Sequence, residues 1–380
     1  MKNICVEAEK MTKSLSGDLN DTTEFIPIQL TSTFDVFGDS ISDSRAPGFQ
    51  QTWARLLAIE LGRTVQGTGI SGALSWQVLA TQIYNNSNGN RTFTSTNSAA
   101  ILMGTNDIRA LDGLYTANGD IITEQINAIA ATALLYCSLP AGSKYNSRSS
   151  IETGTWGNTV SYTTIGRGTA VLDSTMTQTV TGRYVSFTLT SVAATNSAYQ
   201  GTAFNWAVTN SIINLDKTVG TISNTTDPVW PGVCKTAPKI TNGFLARSYI
   251  IDTGVTGSHT ITITNKDATE TLYVDWFGGW DDNVIGNTTI ILGVPQYNYA
   301  RIFDLTGVVT RDNDIRREAY NTQLQKTCDM MRKNFKLPVY YIDTGGTPSG
   351  HTSYDGLHPN FTGQKYLARV VYNALREGVN

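Results

Sequence analysis

Apolar and polar positions change texture three times along this chain. From Thr33 to Phe37 a short apolar run ends in the polar turn Gly38-Asp39-Ser40, and apolar residues at helical spacing follow at Trp53, Leu56, Leu57 and Leu61. Val65 begins a second strand, which runs into Gly67-Thr68-Gly69-Ile70-Ser71-Gly72, and a helix is predicted over 75–84. A third short apolar run, 99–103, closes on Gly104-Thr105-Asn106-Asp107, and a long helix over 121–135 ends before Pro140. Short buried strands alternating with helices predict a parallel sheet covered on both faces. In such a sheet the polar turns after the strands gather at one edge, where sites form.

From about 142 to 282 the period shortens to two. Val185, Phe187 and Leu189 alternate with Ser186, Thr188 and Thr190; Ile261 and Ile263 alternate with Thr260, Thr262 and Thr264. Turn residues punctuate these runs, which predicts an all-β, sandwich-like unit without helices. The α/β texture then returns. A buried strand is expected over 289–294, a helix over 317–335, a strand at Val339–Ile342 and a final amphipathic helix over 362–375 with Leu367, Val370, Val371, Ala374 and Leu375 on one face. The β region therefore interrupts the α/β unit. The expected organisation is an N-terminal arm over 1–30, a first α/β segment over 31–140, a β insertion over 141–287 and a second α/β segment over 288–380.

Composition narrows the function. The 380 residues carry 16 % charged side chains and a net charge of −3, with no basic run of the kind that tracks nucleic acid. No apolar stretch is long enough to span a bilayer, and the opening MKNICVEAEKMTKSL has no apolar h-region of a secretory signal. Cys5, Cys137, Cys234 and Cys328 are far apart and show no metal-ligand spacing, so thiols are expected. A Cys137–Cys234 bridge stays open.

The chain has only three histidines. His259 falls within the alternating run 258–264 and reads as a surface residue; His351 lies in a Gly/Ser/Thr loop. His358 stands in Asp355-Gly356-Leu357-His358-Pro359, where an acid three residues before a histidine can orient an imidazole general base. Ser40 sits at a strand-to-helix corner, which exposes a hydroxyl and aims backbone N–H groups at a developing oxyanion. Gly69 permits close approach of a backbone N–H, and Asn106 offers a side-chain amide at a strand end.

In order and local sequence, these turns resemble the signature blocks of the SGNH (GDSL) hydrolases. Phe37-Gly38-Asp39-Ser40 resembles the nucleophile block, Gly69 the glycine of the second, Gly104-Thr105-Asn106-Asp107 the Gly-x-Asn-Asp of the third, and Asp355 to His358 the Asp-x-x-His of the last. The resemblance covers the α/β segments and not the insertion. It implies a three-layer α/β/α fold around a parallel sheet, interrupted here by the β insertion. It also implies a serine esterase without metal or cofactor. Ser40 would attack the ester, His358 would move the proton, and Asp355 would orient His358. The oxyanion would be held by the N–H groups of Ser40 and Gly69 and by the Asn106 amide. Many members carry asparagine where this chain has Gly67. No Gly-x-Ser-x-Gly elbow is present.

The insertion suggests the substrate. Five of the seven tryptophans, Trp156, Trp206, Trp230, Trp276 and Trp280, fall within it or at its return. Aromatic rings over a β surface stack on sugars, so Trp276 and Trp280, with Asp39 beside the nucleophile, are expected at the substrate. A β unit lodged in such a hydrolase resembles esterases that remove acetyl groups from polysaccharides. The polar Thr/Asn/Gly texture and the undistinguished N-terminal arm also resemble esterase domains of phage tail fibres and tailspikes. The expected partner is then an acetylated capsule or O-antigen, the expected setting extracellular or on a virion, and trimers one arrangement for such a protein. Neither nucleic acid nor membrane is expected as a partner. Two other readings are a silent glycan-binding module on the same fold, and a lipase or thioesterase. No apolar lid or basic patch favours the latter. The sequon Asn360-Phe361-Thr362 lies so near His358 that a source without glycosylation is expected.

Overall fold

The computed structural model describes residues 27–44, 51–84, 96–109, 119–158, 166–199, 202–213, 218–223, 240–296, 311–346, 351 and 356–378. Residues 1–26 of the N-terminal arm, Cys5, Trp230, Cys234 and Asp355 lie outside them; the arm's end is described, with Ile28 and Leu30 buried in the core.

Five short strands, β1 (Thr33–Gly38), β2 (Thr64–Gly67), β3 (Ser98–Leu102), β4 (Thr289–Leu292) and β5 (Val339–Ile342), form one sheet in the order 2-1-3-4-5. Every pairing in it is parallel. Residues before and after the β region thus share a single sheet, joined where β3 pairs with β4 from Thr289↔Ala99 to Ile291↔Ile101. β3 and β4 are buried along their whole length, as expected of strands covered on both faces.

Four helices cover that sheet: α1 (Trp53–Leu61), α2 (Gly119–Ser138), α3 (Arg311–Phe335) and α4 (Phe361–Glu377). Strand side chains alternate between two cores. Phe34, Val36, Ala100, Leu102, Ile290 and Leu292 meet Trp53 and Leu57 of α1 and Leu367 and Val371 of α4. Phe37, Ala99, Ile101, Ile291 and Val339 belong to the opposite core, with Ile129 and Leu134 of α2 and Tyr320 and Leu324 of α3. The helical periods place α2, α3 and α4 within a few residues of their observed ends, except that α3 starts at Arg311. The segment expected as a helix over 75–84 is a turn, Ser75–Gln77, that widens into a π-helix over Val78–Ile83.

Between β3 and β4 the chain builds two antiparallel sheets. One has the order Thr218–Ser223, Phe204–Ile213, Ser258–Asn265, Thr175–Thr181, Ile151–Thr153; the other runs Ile240–Asp252, Tyr184–Tyr199, Leu272–Trp280, Arg167–Thr169, Gly157–Asn158. Lys144–Asn146 adds to Leu272–Trp280. Phe187 of the second sheet packs against Phe204 and Trp206 of the first, with ring centroids 6.2 and 6.1 Å apart, which gives the pair its sandwich character.

His259 is not on the surface. It shares its strand face with Ile261 and Ile263, because all three are two residues apart, and that face is the buried one. Its Nδ1 lies 2.9 Å from the Thr209 carbonyl and its Nε2 2.9 Å from that of Val255. Cys137 and Cys328 are free, buried thiols, so no bridge involves Cys137.

Candidate active site

β1 ends at Gly38 and the chain turns at once into a single 3-10 turn, Ser40–Ser42. Asp39 caps it: its Oδ1 accepts the Ile41 N–H at 3.0 Å. The Ser40 hydroxyl meets the His358 imidazole there, with Nε2 2.8 Å from Oγ across 318 residues of sequence. A serine hydroxyl within hydrogen-bond reach of a histidine ring is the minimum for a base-activated nucleophile. Ser40 is nearly buried and His358 half-buried. Asp355 lies outside the described residues. The His351 ring leans on Tyr366, centroids 5.3 Å apart, and its carbonyl accepts the Asn360 N–H at 2.8 Å. Asn360 in turn caps α4, its Oδ1 accepting the Gly363 N–H at 3.0 Å.

Asn106 arrives from the end of β3. One N–H of its amide donates to the Ala73 carbonyl at 3.0 Å, which fixes the group; the second N–H has no partner among the described residues. Gly104 sets this turn at φ 110°, and a Cβ there would meet Tyr320 Cε1 at 2.8 Å, so only glycine fits.

Gly69 does not serve as expected. Its N–H donates to the Ser42 carbonyl at 3.0 Å. Its missing side chain is needed for packing, since a Cβ would collide with the Asp39 carbonyl oxygen. Gly69 is therefore where the glycine-rich loop crosses the nucleophile turn. Gly72, at φ 77°, has no partner for its N–H among the described residues, and it precedes Ala73, which holds Asn106. The loop amide without a partner among the described residues is thus three residues further along than Gly69. The signal was present in the sequence as a third glycine in the same loop.

Two glutamines brace the turn, and the sequence reading passed over both. Gln82, from the π-helix, takes the Gly38 N–H on its Oε1 at 2.9 Å and donates Nε2 to the Gly38 carbonyl at 2.8 Å. Gln364, six residues past His358, donates to the Ile41 carbonyl at 3.1 Å and accepts the Trp53 N–H at 2.7 Å. It ties the nucleophile turn and α1 to the helix that follows the base. Both side chains are buried, and a glutamine in the apolar stripe of a helix is the only mark either leaves in sequence. Asp43 holds the glycine-rich loop through Ser71 N–H and Oγ, at 3.0 and 2.9 Å; Asp107 holds Ser75 N–H and Oγ, both at 2.8 Å.

Asp39 is fully buried and so cannot be a substrate contact, because its carboxylate faces inward to cap the turn. Burial raises its pKa to about 6; the Ile41 N–H, Thr105 and the nearby His358 pull it back, and Asp107 pushes it up. The sign for stability follows. The unfolded chain releases this proton near pH 4, the folded chain only near 6, so the folded state binds more protons between them. Stability contributed at low pH is lost as pH rises through that window, by roughly 3 kcal/mol. Asp39→Asn keeps the cap acceptor and removes the titration. Melting curves from pH 4 to 8 should show wild type losing ground against the variant across pH 4–6, whereas parallel curves would contradict the assignment.

Trp276 and Trp280 do not face a substrate surface either. Both are buried. Trp276 Nε1 donates to Tyr84 Oη at 2.9 Å and its ring meets Tyr136 edge-on at 5.1 Å; Trp280 Nε1 donates to the Phe335 carbonyl at 2.8 Å. They fasten the β insertion to the helices of the α/β part. Trp156 and Trp206 are buried within the insertion. Large rings at the return of an inserted unit had an interface to fill, and that use won over sugar stacking.

Among the described residues no three His, Cys, Asp or Glu gather to hold a metal, and no helix is long and apolar enough to cross a membrane.

No family profile and no curated protein matches the chain. Distant likenesses exist among solved structures. A two-domain esterase (CEX) active on acetylated mannans is 10 % identical with a TM-score of 0.28, over 65 % of this chain and 90 % of that one. A putative GDSL-like lipase from Bacteroides ovatus is 8 % identical with a TM-score of 0.19, over 54 % and 85 %. The enzymatically active domain of bacteriophage CBA120 tailspike protein 4 is 14 % identical with a TM-score of 0.21, over 56 % and 26 %. At such values none assigns a fold family or an activity to this chain.

Proposed function

We propose that the chain is a serine esterase of the SGNH type that removes O-acetyl groups from a polysaccharide. The observation that carries this reading is the 2.8 Å contact between Ser40 Oγ and His358 Nε2. In the proposed reaction His358 takes the Ser40 proton as Oγ attacks the ester carbonyl. An acyl-Ser40 forms, the alcohol leaves with the proton from His358, and water repeats the sequence in reverse order. Asp355 is proposed to orient His358. The oxyanion is proposed to lie against the free Asn106 N–H and the N–H groups of Ser40 and Gly72, with Gly72 in place of Gly69.

Acetylated glycan as substrate draws its support from the polar neighbourhood of the turn, where Asp43, Thr68 and Ser71 crowd the glycine-rich loop. It also draws on the β insertion fastened beside the catalytic sheet. A setting on a virion or outside a cell, and a trimer, belong to the same proposal. Acetate release from a panel of acetylated polysaccharides tests it. Release from at least one, abolished in Ser40→Ala, is expected. Glycan binding without release in the wild type would make the chain a binding module instead, and preference for long acyl esters would make it a lipase.

A further inference from the structure

Away from Ser40, a cleft of about 370 Å³ opens where α2 and α3 meet the edge strand Ile240–Asp252 of the insertion. Clefts of this size at a junction between packed units are common ligand sites. It lies well away from the nucleophile. Tyr320 of α3 reaches the Met103 carbonyl at the end of β3, and the cleft residues of that helix, Gln323 to Met330, lie up to roughly 15 Å further along its axis.

Among the described lining residues Arg247 enters from the strand and Lys326 from α3, with Glu124 as the acid. None of the three forms an ion pair or side-chain hydrogen bond among the described residues. Arg247 Nε is buried and has no hydrogen-bond partner. Two other partly exposed arginines carry carboxylates: Arg167 meets Glu152 at 2.6 Å, and Arg183 meets Asp252 at 2.8 Å and Asp282 at 2.9 Å. A half-buried guanidinium without a carboxylate among the described residues, in a cleft with a second cation, offers a seat for an external anion. Its planar fork suits a carboxylate bound through two N–H groups.

The rest of the cleft is made for a sugar ring rather than for an ion alone. Ala128, Ala131 and Met330 add apolar lining, and Asn127 and Gln323 add amides. Asn127 is already held by Thr327, Nδ2 to Oγ1 at 2.9 Å, so its position is set before any ligand arrives.

We propose that this cleft binds a carboxylated sugar unit, a hexuronate within an acidic polysaccharide, with its carboxylate on Arg247 and Lys326. The inference does not depend on the esterase reading, because binding is read without turnover.

The test is calorimetric titration of the full Ser40→Ala chain with tetragalacturonate, mannotetraose and inorganic phosphate. Tetragalacturonate should bind at least about tenfold more tightly than the neutral tetraose or phosphate. Arg247→Gln should weaken it about tenfold, and the exposed Lys326→Gln by a smaller factor, both with wild-type thermal unfolding. In a chain with Ser40 intact, Arg247→Gln should hydrolyse p-nitrophenyl acetate within about twofold of wild type. If Arg247→Gln fails to fold, Lys326→Gln alone decides. The proposal is overturned by equal affinity for the neutral tetraose, by phosphate binding as well as the uronate, by no uronate binding at millimolar ligand, or by affinity unchanged in the folded variants.

Discussion

Ser40→Ala is expected to lower kcat/KM toward p-nitrophenyl acetate by about 10⁴-fold or more. At the turn His358 Nε2 meets the Ser40 hydroxyl, at 2.8 Å. The other hydroxyl of the turn, Ser42 Oγ, is buried and accepts Trp53 Nε1–H at 3.1 Å. The loss should fall on kcat, since the Asn106 amide and the backbone of the turn remain to bind the carbonyl. The fold should survive. Ser40 Oγ bonds only to His358 among the described residues, while Asp39, Gln82 and Gln364 hold the turn through backbone groups of Gly38 and Ile41. Steady-state kinetics beside circular dichroism and a melting curve check both halves. A folded variant that keeps more than a few per cent of wild-type turnover would remove Ser40 from the chemistry.

The second large effect is structural. Trp276→Ala should destabilise the protein by about 3–5 kcal/mol, the usual range for deleting a buried tryptophan. The indole is fully buried, and its removal leaves a cavity between the insertion and the helices. It also strips Tyr84 Oη of the Trp276 N–H and Tyr136 of an edge-on ring. Chemical denaturation reads the loss directly. If Trp276→Ala keeps wild-type stability but loses affinity for glycan, the ring contacts substrate after all, and its placement at the junction is wrong.

That contrast shows where the sequence is legible. Strand and helix periods in 33–140 and 288–380 follow from the apolar spacing, because both faces of each parallel strand and one stripe of each helix must be buried. The meeting of Ser40 with His358 was readable because the turns after parallel strands converge on one edge. Trp276 and Trp280 were misread because a tryptophan at the border of an inserted unit looks the same whether it fills a junction or faces a ligand. His259 was misread by one residue of phase, which in a strand exchanges the two faces. Gly69 was misread because three glycines share the loop 67–72, and only the crossing with the Ser40–Ser42 turn shows which one is spent on close packing there. Gln82 and Gln364 were invisible. Their work is done on backbone groups of a turn far away in sequence, and no local pattern records a partner at that distance.

The central claim is that Ser40 is a nucleophile activated by His358. Treatment of the folded chain with a serine-directed fluorophosphonate, followed by peptide mass mapping, tests it most directly. A single adduct on the peptide carrying Ser40, lost when His358 is replaced by glutamine in a folded variant, is the predicted result. An unlabelled Ser40 in folded protein, or an adduct on another serine with equal yield, would contradict it.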